Sequence, residues 1–354
     1  MIGLVPVPVP VPIPNSPFPM FLFIQVIVCF LAVIAVGMRL SHSADVVAEK
    51  TGLGRTWVGG LLLSGVTSLP ELATGVSAVT VLNAPDLAAG AILGSCLFNL
   101  MILGLLDIFS GREPLLKRAP VGLGLAASLG CAMLGVTAAG MLFTQQGISL
   151  TLGWVGVPSL LLILLYIVSA KMMTQFELRR RAAAILEAEP EALQYQHIKR
   201  GQAYLNFTLL SIATVLLGVW LAFLGDQVSA VTGLGQSFIG ALLLAGATSL
   251  PEVVVSVEAI RMNAVEMAVS NLFGSNLWNL AILGIYDVVY LKGNLWLEIS
   301  DVHLLTAIIA MIMTSVATAG LIYHAVSRTQ IYVTWDGLTL IALYIGGMYI
   351  IYRS

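Results

Sequence analysis

The chain has 354 residues, of which 58% are hydrophobic and only 10% charged. Soluble domains carry about 25% charged residues, so a mean hydropathy of +0.97 excludes an ordinary soluble domain and places the chain in a lipid bilayer. A net charge of −2 offers no basic face to nucleic acid.

The first nineteen residues alternate Pro with small apolar side chains. Alternating Pro removes backbone donors and favours an extended polyproline conformation, so residues 1–19 read as a disordered Pro-rich tail. The tail lacks Lys and Arg and so has no signal-peptide n-region. Met20, at the head of the first apolar run, is an alternative start.

Ten apolar runs follow, each close to the ~20 residues that cross the hydrocarbon core as a helix. They cover 20–40, 57–82, 86–108, 119–143, 150–173, 204–225, 235–260, 265–290, 301–324 and 333–352. The expected fold is an all-α polytopic membrane protein. Its one sizeable polar connection, 174–203, is charged and mildly amphipathic and divides the spans five and five, as 20–173 and 204–354. Cys29, Cys96 and Cys131 lie far apart in apolar surroundings and read as packed small hydrophobes.

Lys and Arg near span ends favour the cytoplasmic side. With the N-terminus outside, fourteen of the 16 Lys and Arg fall inside, leaving Lys292 and Arg353 outside. Both termini are therefore expected outside a cell (plasma or inner) membrane, with 174–203 in the cytoplasm.

The halves repeat one another. Asp45–Gly54 matches Asp226–Gly235, and Thr67-Ser68-Leu69-Pro70-Glu71 matches Thr248-Ser249-Leu250-Pro251-Glu252, at an offset of 181. After a one-residue deletion, Leu93–Asp107 matches Phe273–Asp287 at an offset of 180. Five is odd, so two five-span halves cross the membrane in opposite senses. Such inverted repeats place substrate sites at broken helices near the midplane.

The repeated letters suit a hard cation. Pro70 cannot donate to the carbonyl of Val66, nor Pro251 to that of Ala247, so each helix breaks beside Thr, Ser and Glu. Freed carbonyls, the hydroxyls of Thr67, Ser68, Thr248 and Ser249, and the carboxylates of Glu71 and Glu252 form an oxygen donor set for Ca²⁺ or Na⁺. Ser95 and Asn99, and likewise Ser275 and Asn279, stand four residues apart and share a helix face. A midplane charge costs ~3 kcal/mol or more, which marks the two Glu as functional. Asp107 and Asp287 sit near span ends and read as solvated caps, while Asp45 and Asp226 read as turn or helix-start residues. Glu258, Arg261 and Glu266 read as solvated. None of His42, His197, His303 and His324 recurs between the halves, which argues against a histidine metal site.

Two copies of T-S-L-P-E, each followed about 25 residues later by G-S-x-x-x-N, resemble the cation/calcium exchanger superfamily, most closely its sodium/calcium exchanger branch. The match covers about 45–107 and 226–287. The resemblance implies alternating-access antiport in which two tilted peripheral helices slide past a core of eight. It also implies that Glu71 and Glu252 are the central calcium ligands. Thr67, Ser68, Thr248 and Ser249, with Ser95, Asn99, Ser275 and Asn279, would complete the sodium and calcium sites. The sequence departs from that pattern at Val66 and Ala247, where Gly is usual, at Cys96 in place of Asn, and at Asn279, where one half of relatives often carries Asp.

The function expected from these readings is exchange of Ca²⁺ for Na⁺, with proton/Ca²⁺ exchange or another divalent cation as the alternative and no cofactor beyond the transported ions. An intramembrane hydrolase using paired carboxylates is a different class. No His, Cys or Lys accompanies the repeat to support it. The expected partners are the ions and the bilayer, and the sequence carries no mark of oligomeric state.

Overall fold

A computed structural model of the chain describes residues 18–110, 113–187, 194–232, 246, 248–323 and 334–353. Helix α1 is Phe18–Thr51. A second stretch follows as α2 (Gly54–Trp57), a π-helical segment Val58–Leu63, α3 (Ser64–Thr67) and α4 (Leu69–Thr80). Then come α5 (Pro85–Leu106), the short α6 (Leu115–Arg118) and α7 (Gly124–Gln145). A two-stranded antiparallel hairpin, β1 (Thr151–Leu152) and β2 (Val155–Gly156), precedes α8 (Val157–Glu187) and α9 (Arg200–Thr232). The chain closes with α10 (Leu250–Arg261), α11 (Val265–Val289), α12 (Val302–Tyr323) and α13 (Trp335–Arg353).

Among the described residues, eight helical stretches are long and apolar enough to cross a membrane, and Trp335–Ile351 is apolar but shorter. The eight correspond to the first six, the eighth and the ninth expected spans. The expected seventh span, 235–260, lies partly outside the described residues, as does Ala247, and so do residues 1–17 of the Pro-rich tail.

Four boundaries differ from the sequence reading by seven residues or more; one is the end of the sixth span, where α9 runs to Thr232 rather than 225, and the other three have identifiable causes. Helix α1 does not stop at 40 but runs on through Ser41 and Asp45, because each of these polar residues finds a partner. Ser41 Oγ donates to the carbonyl of Val255 at 3.1 Å, and Asp45 forms an ion pair with Arg55. The fifth span starts at Val157 rather than 150, since Thr151–Gly156 turns back on itself through Gly153 at φ +65°. The helix then continues beyond 173 to Glu187, because the charged segment is rich in the strong helix formers Ala, Leu, Glu and Arg. Charge there marks exposure to water, not loss of helix.

Helix α11 is the centre of the bundle, with 78% of its apolar stretch buried, whereas α1, α8 and α9 bury 22%, 22% and 28% and lie at the periphery. Of these outer helices, α1 and α9 share a small apolar cluster of their own, built from Leu22, Cys29, Val33, Leu221 and Leu224. At the centre, α11 meets the π-helical segment so closely that a Cβ on Gly274 would overlap the Gly60 carbonyl oxygen. Small residues at such crossings let backbones approach within the membrane.

Candidate functional site

The repeated motifs break their helices where the sequence placed the Pro. Ser68 leaves the helical region at φ −90°, ψ 2°, and α4 restarts with Leu69 and Pro70. Ser249 does the same at φ −87°, ψ 7°, and α10 restarts with Leu250 and Pro251. Pro at the first turn of a helix loses nothing, because that turn's N–H groups have no intrahelical partner. Glu71 and Glu252 each fall in a first turn, where the N-terminal end of the helix dipole favours negative charge.

The two breaks meet, and they do so crosswise. Ser249 Oγ lies 3.1 Å from Glu71 Oε1 and 3.2 Å from Ser95 Oγ. Ser68 Oγ lies 3.3 Å from Glu252 Oε1. Thr248 lies beside the Glu71 carboxylate and Thr67 beside that of Glu252. Thr67 Oγ1 also sits 3.3 Å from the Ser64 carbonyl. Each acid is therefore held by the hydroxyls of the opposite half. Thr67, Ser68, Glu71, Ser95, Asn99, Thr248, Ser249, Glu252, Ser275 and Asn279 are all between 0% and 4% exposed, so the cluster is sealed from lipid. Val66 is only half-buried and packs against the apolar core.

Several oxygens in this buried cluster have no hydrogen-bond partner. They are Glu71 Oε2, Glu252 Oε2, Asn99 Oδ1, Asn279 Oδ1 and Ser275 Oγ. Leaving a buried acceptor unsatisfied costs about 1–3 kcal/mol, and more when it is charged. Two of the five belong to the carboxylates and three to neutral side chains, and all are oxygens of the kind that hard cations take as ligands. Among the described residues, no group of three or more His, Cys, Asp and Glu comes together, so the negative charge of the cluster is that of the two Glu alone.

Two contributors lie outside the set expected from sequence. Asn276 bridges the halves, accepting from Asn99 Nδ2 at 3.0 Å and donating to the Cys96 carbonyl at 3.3 Å. Tyr286, 1% exposed, donates its hydroxyl to the backbone carbonyl of Glu71 at 2.6 Å. Its ring lies where a Cβ on Gly75 would stand. The repeat mate of Tyr286 is Leu106, so a search for duplicated polar residues passes over it.

The remaining acids are not what the sequence suggested. Asp107 and Asp287 are 2% and 0% exposed, so they are buried struts rather than solvated caps. Asp107 accepts the backbone N–H of Leu115 at 2.7 Å and, across the halves, that of Thr334 at 2.7 Å. Asp287 accepts those of Leu295 at 2.8 Å and Gly156 at 2.7 Å. Asp45 is neither in a turn nor at a helix start. It sits inside α1, 3% exposed, and binds Arg55 and the Tyr195 hydroxyl, the latter at 2.9 Å. Burial pushes the Tyr195 hydroxyl up to about 12, helped by its bond to Asp45, so it remains a donor. Glu49 accepts the backbone N–H groups of Gln194 and Tyr195 beside it. The side chain of Asp226 lies outside the described residues. Arg261 is exposed as expected, whereas Glu258 and Glu266 are partly buried and paired with Arg261 and Arg180.

Comparison with known proteins agrees with this architecture. The sodium–calcium exchanger NCX_Mj, solved after soaking with 2.5 mM Na⁺ and 10 mM Sr²⁺, superimposes with a TM-score of 0.70 at 20% identity. That match covers 93% of this chain and 98% of NCX_Mj, so the two share a fold. The inner membrane protein YrbG of Escherichia coli is 27% identical over 265 residues, 73% of this chain and 76% of YrbG. The sodium/calcium exchanger MaX1 of Methanosarcina acetivorans is 28% identical over 161 residues, 44% of this chain and 43% of MaX1. The sodium/calcium exchanger protein family matches residues 21–175 and 203–353, and the chain accordingly belongs to that family of multi-span membrane transporters, which are not enzymes.

Proposed function

We propose that this protein is a secondary antiporter that exchanges Ca²⁺ for Na⁺ by alternating access, with Glu71 and Glu252 as the central ligands. The observation that carries the reading is the crosswise pairing of these two buried acids, with one unpartnered oxygen on each. One Ca²⁺ neutralises the pair, and so do two monovalent cations. The same two carboxylates therefore serve both ions in turn. Ser275, Asn99 and Asn279 supply neutral oxygens from the facing helices, and Thr67, Ser68, Thr248, Ser249 and Ser95 complete the shell. The backbone carbonyls beside each Pro, those of Val66 and Ala247, belong to the same proposal. Helices α1 and α9, peripheral and joined by their own apolar cluster, are the elements proposed to move. In orientation, both termini lie outside and the segment between α8 and α9 lies in the cytoplasm.

Isotopic Ca²⁺ flux in reconstituted vesicles tests the reading. An imposed Na⁺ gradient is expected to drive Ca²⁺ uptake, and Glu252→Gln is expected to abolish it. Uptake driven by a proton gradient and indifferent to Na⁺ would replace Na⁺ by H⁺ as the counter-ion. No coupled uptake under either gradient would end the proposal.

A further inference from the structure

The inverted repeat is not symmetric one helical turn beyond the acids. Helices α10 and α11 form an antiparallel hairpin through Met262–Ala264. Ser256, one turn past Glu252, meets Asn271, one turn before Ser275, and Asn271 Nδ2 lies 3.3 Å from Ser256 Oγ. The corresponding positions of the first half are Gly75 and Ala91, which carry no polar side-chain atom. There the space beside Gly75 is filled by the Tyr286 ring. One side of the acid pair is thus plugged by an aromatic ring, and the other continues into polar groups.

Asn271 and Ser256 are each 0% exposed, and Asn271 Oδ1 has no hydrogen-bond partner. Buried polar atoms without partners are rare in folded proteins and call for a specific cause. The position of this one is informative. Asn271, Ser275 and Asn279 recur every four residues on one face of α11, about 6 Å apart along the axis, and each carries an unpartnered oxygen. The α5 face bears Ser95 and Asn99 but ends in Ala91, so the row of oxygens is one step longer on α11. Helix α1 closes over this step, where Ser41, 0% exposed, donates to the carbonyl of Val255 next to Ser256.

We propose that Asn271 Oδ1, oriented by the bond its amide nitrogen donates to Ser256, adds a cation station one helical turn from Ser275 on the row of oxygens along α11, which takes a monovalent cation such as Na⁺. Its oxygens are neutral, so a cation there is balanced only by the acid pair one turn away: the station suits one of the two monovalent ions, not a third, and offsets too little charge to hold Ca²⁺. The station rests on the exchange reading for its role, as a waypoint between the acid pair and the α10–α11 turn. Its existence is testable by binding alone.

The probe is Na⁺ itself, read as the rise in unfolding temperature of the detergent-purified protein, since a ligand that binds only the folded state raises that temperature. Asn271→Ala is expected to raise the Na⁺ concentration for half of the rise by about threefold to tenfold, the loss expected for one neutral oxygen contact. The corresponding Ca²⁺ concentration should stay within about twofold, since an effect smaller than one hydrogen bond is expected there. Asn271→Asp is expected to lower the Na⁺ concentration instead. Ser256→Ala removes the acceptor that orients the Asn271 amide, is expected to shift the Na⁺ curve in the same direction, and carries the test if Asn271→Ala does not purify in folded form. Unchanged Na⁺ curves in Asn271→Ala, equal shifts for Na⁺ and Ca²⁺, or no Na⁺ effect on the wild-type protein would each overturn the station. Na⁺ stabilisation that depends on Asn271, in a protein whose Ca²⁺ flux ignores Na⁺, would keep the station and reject the exchange reading.

Discussion

Ser249, in the second half of the chain, holds the Glu71 carboxylate of the first half at 3.1 Å, and Ser68 returns the contact to Glu252 at 3.3 Å. Neither acid is held by the hydroxyl next to it in sequence. The site therefore exists only when the two halves are docked, and any relative motion of the halves must act on both carboxylates at once.

The acids should then fail individually. Glu71→Gln or Glu252→Gln keeps size and hydrogen bonding but removes half of the charge. Either change is expected to lower Ca²⁺ uptake by at least about 100-fold, because altering only the partners of a metal ligand already costs 10–100-fold. Size-exclusion behaviour should be unchanged. A variant that keeps near-normal uptake would remove that residue from the site.

Tyr286 provides a finer test. Tyr286→Phe keeps the ring against Gly75 and deletes only the hydroxyl that bonds the Glu71 carbonyl. A rise in half-saturating Ca²⁺ of about threefold to tenfold is expected, the worth of one buried hydrogen bond. Gly75→Ala should cost more, because its Cβ would occupy the place of the ring. Wild-type uptake in Gly75→Ala would show that the position of the ring does not matter.

Asp107 and Asp287 should behave as struts. Asp107→Asn is expected to lower stability by about 1–3 kcal/mol, the cost of losing a charged acceptor for buried N–H groups, while transport survives in the folded fraction. Thermal unfolding in detergent read beside Ca²⁺ flux separates the two effects. Loss of flux at unchanged stability would instead place Asp107 on the ion path.

Orientation can be checked by thiol labelling in a background that lacks Cys29, Cys96 and Cys131. Lys292 and Gln194 are both exposed, whereas the neighbouring Asn294 is buried and caps the turn at Trp296. An impermeant reagent added outside is expected to label Lys292→Cys but not Gln194→Cys. The reverse pattern would invert the topology.

Much of this was legible in the sequence because a bilayer makes polar letters conspicuous. Glu71 and Glu252 stand out in apolar runs, and their duplication tied them to one another before any geometry was known. What was not legible depends on contacts between distant segments. Asp107 reads as solvated because the backbone N–H groups that satisfy it leave no mark in the sequence, and one of them belongs to Thr334, 227 residues away. Helix α1 was expected to end before Ser41 and Asp45 for the same reason: their partners, Val255 and Tyr195, come from other elements. Tyr286 and Asn271 carry no such mark, because each departs from the repeat. The hairpin at Thr151–Gly156 and the π-helical turn at Val58–Leu63 leave no clear mark in an apolar run, where local periodicity is faint.

The central claim is that two carboxylates, and no third, balance the transported charge, so that two monovalent cations exchange for each Ca²⁺. With a neutral Asn279, no further acid joins the cluster among the described residues. Uncompensated charge at the midplane is heavily penalised, which favours a loaded site that is neutral with either ion. The most direct measurement is Na⁺-driven Ca²⁺ uptake into vesicles whose membrane potential is clamped at different values with ionophores. The account predicts uptake that depends on the Na⁺ gradient and is indifferent to voltage, with Asn279→Asp introducing a voltage response. Uptake by the wild-type protein that changes steeply with voltage would contradict it.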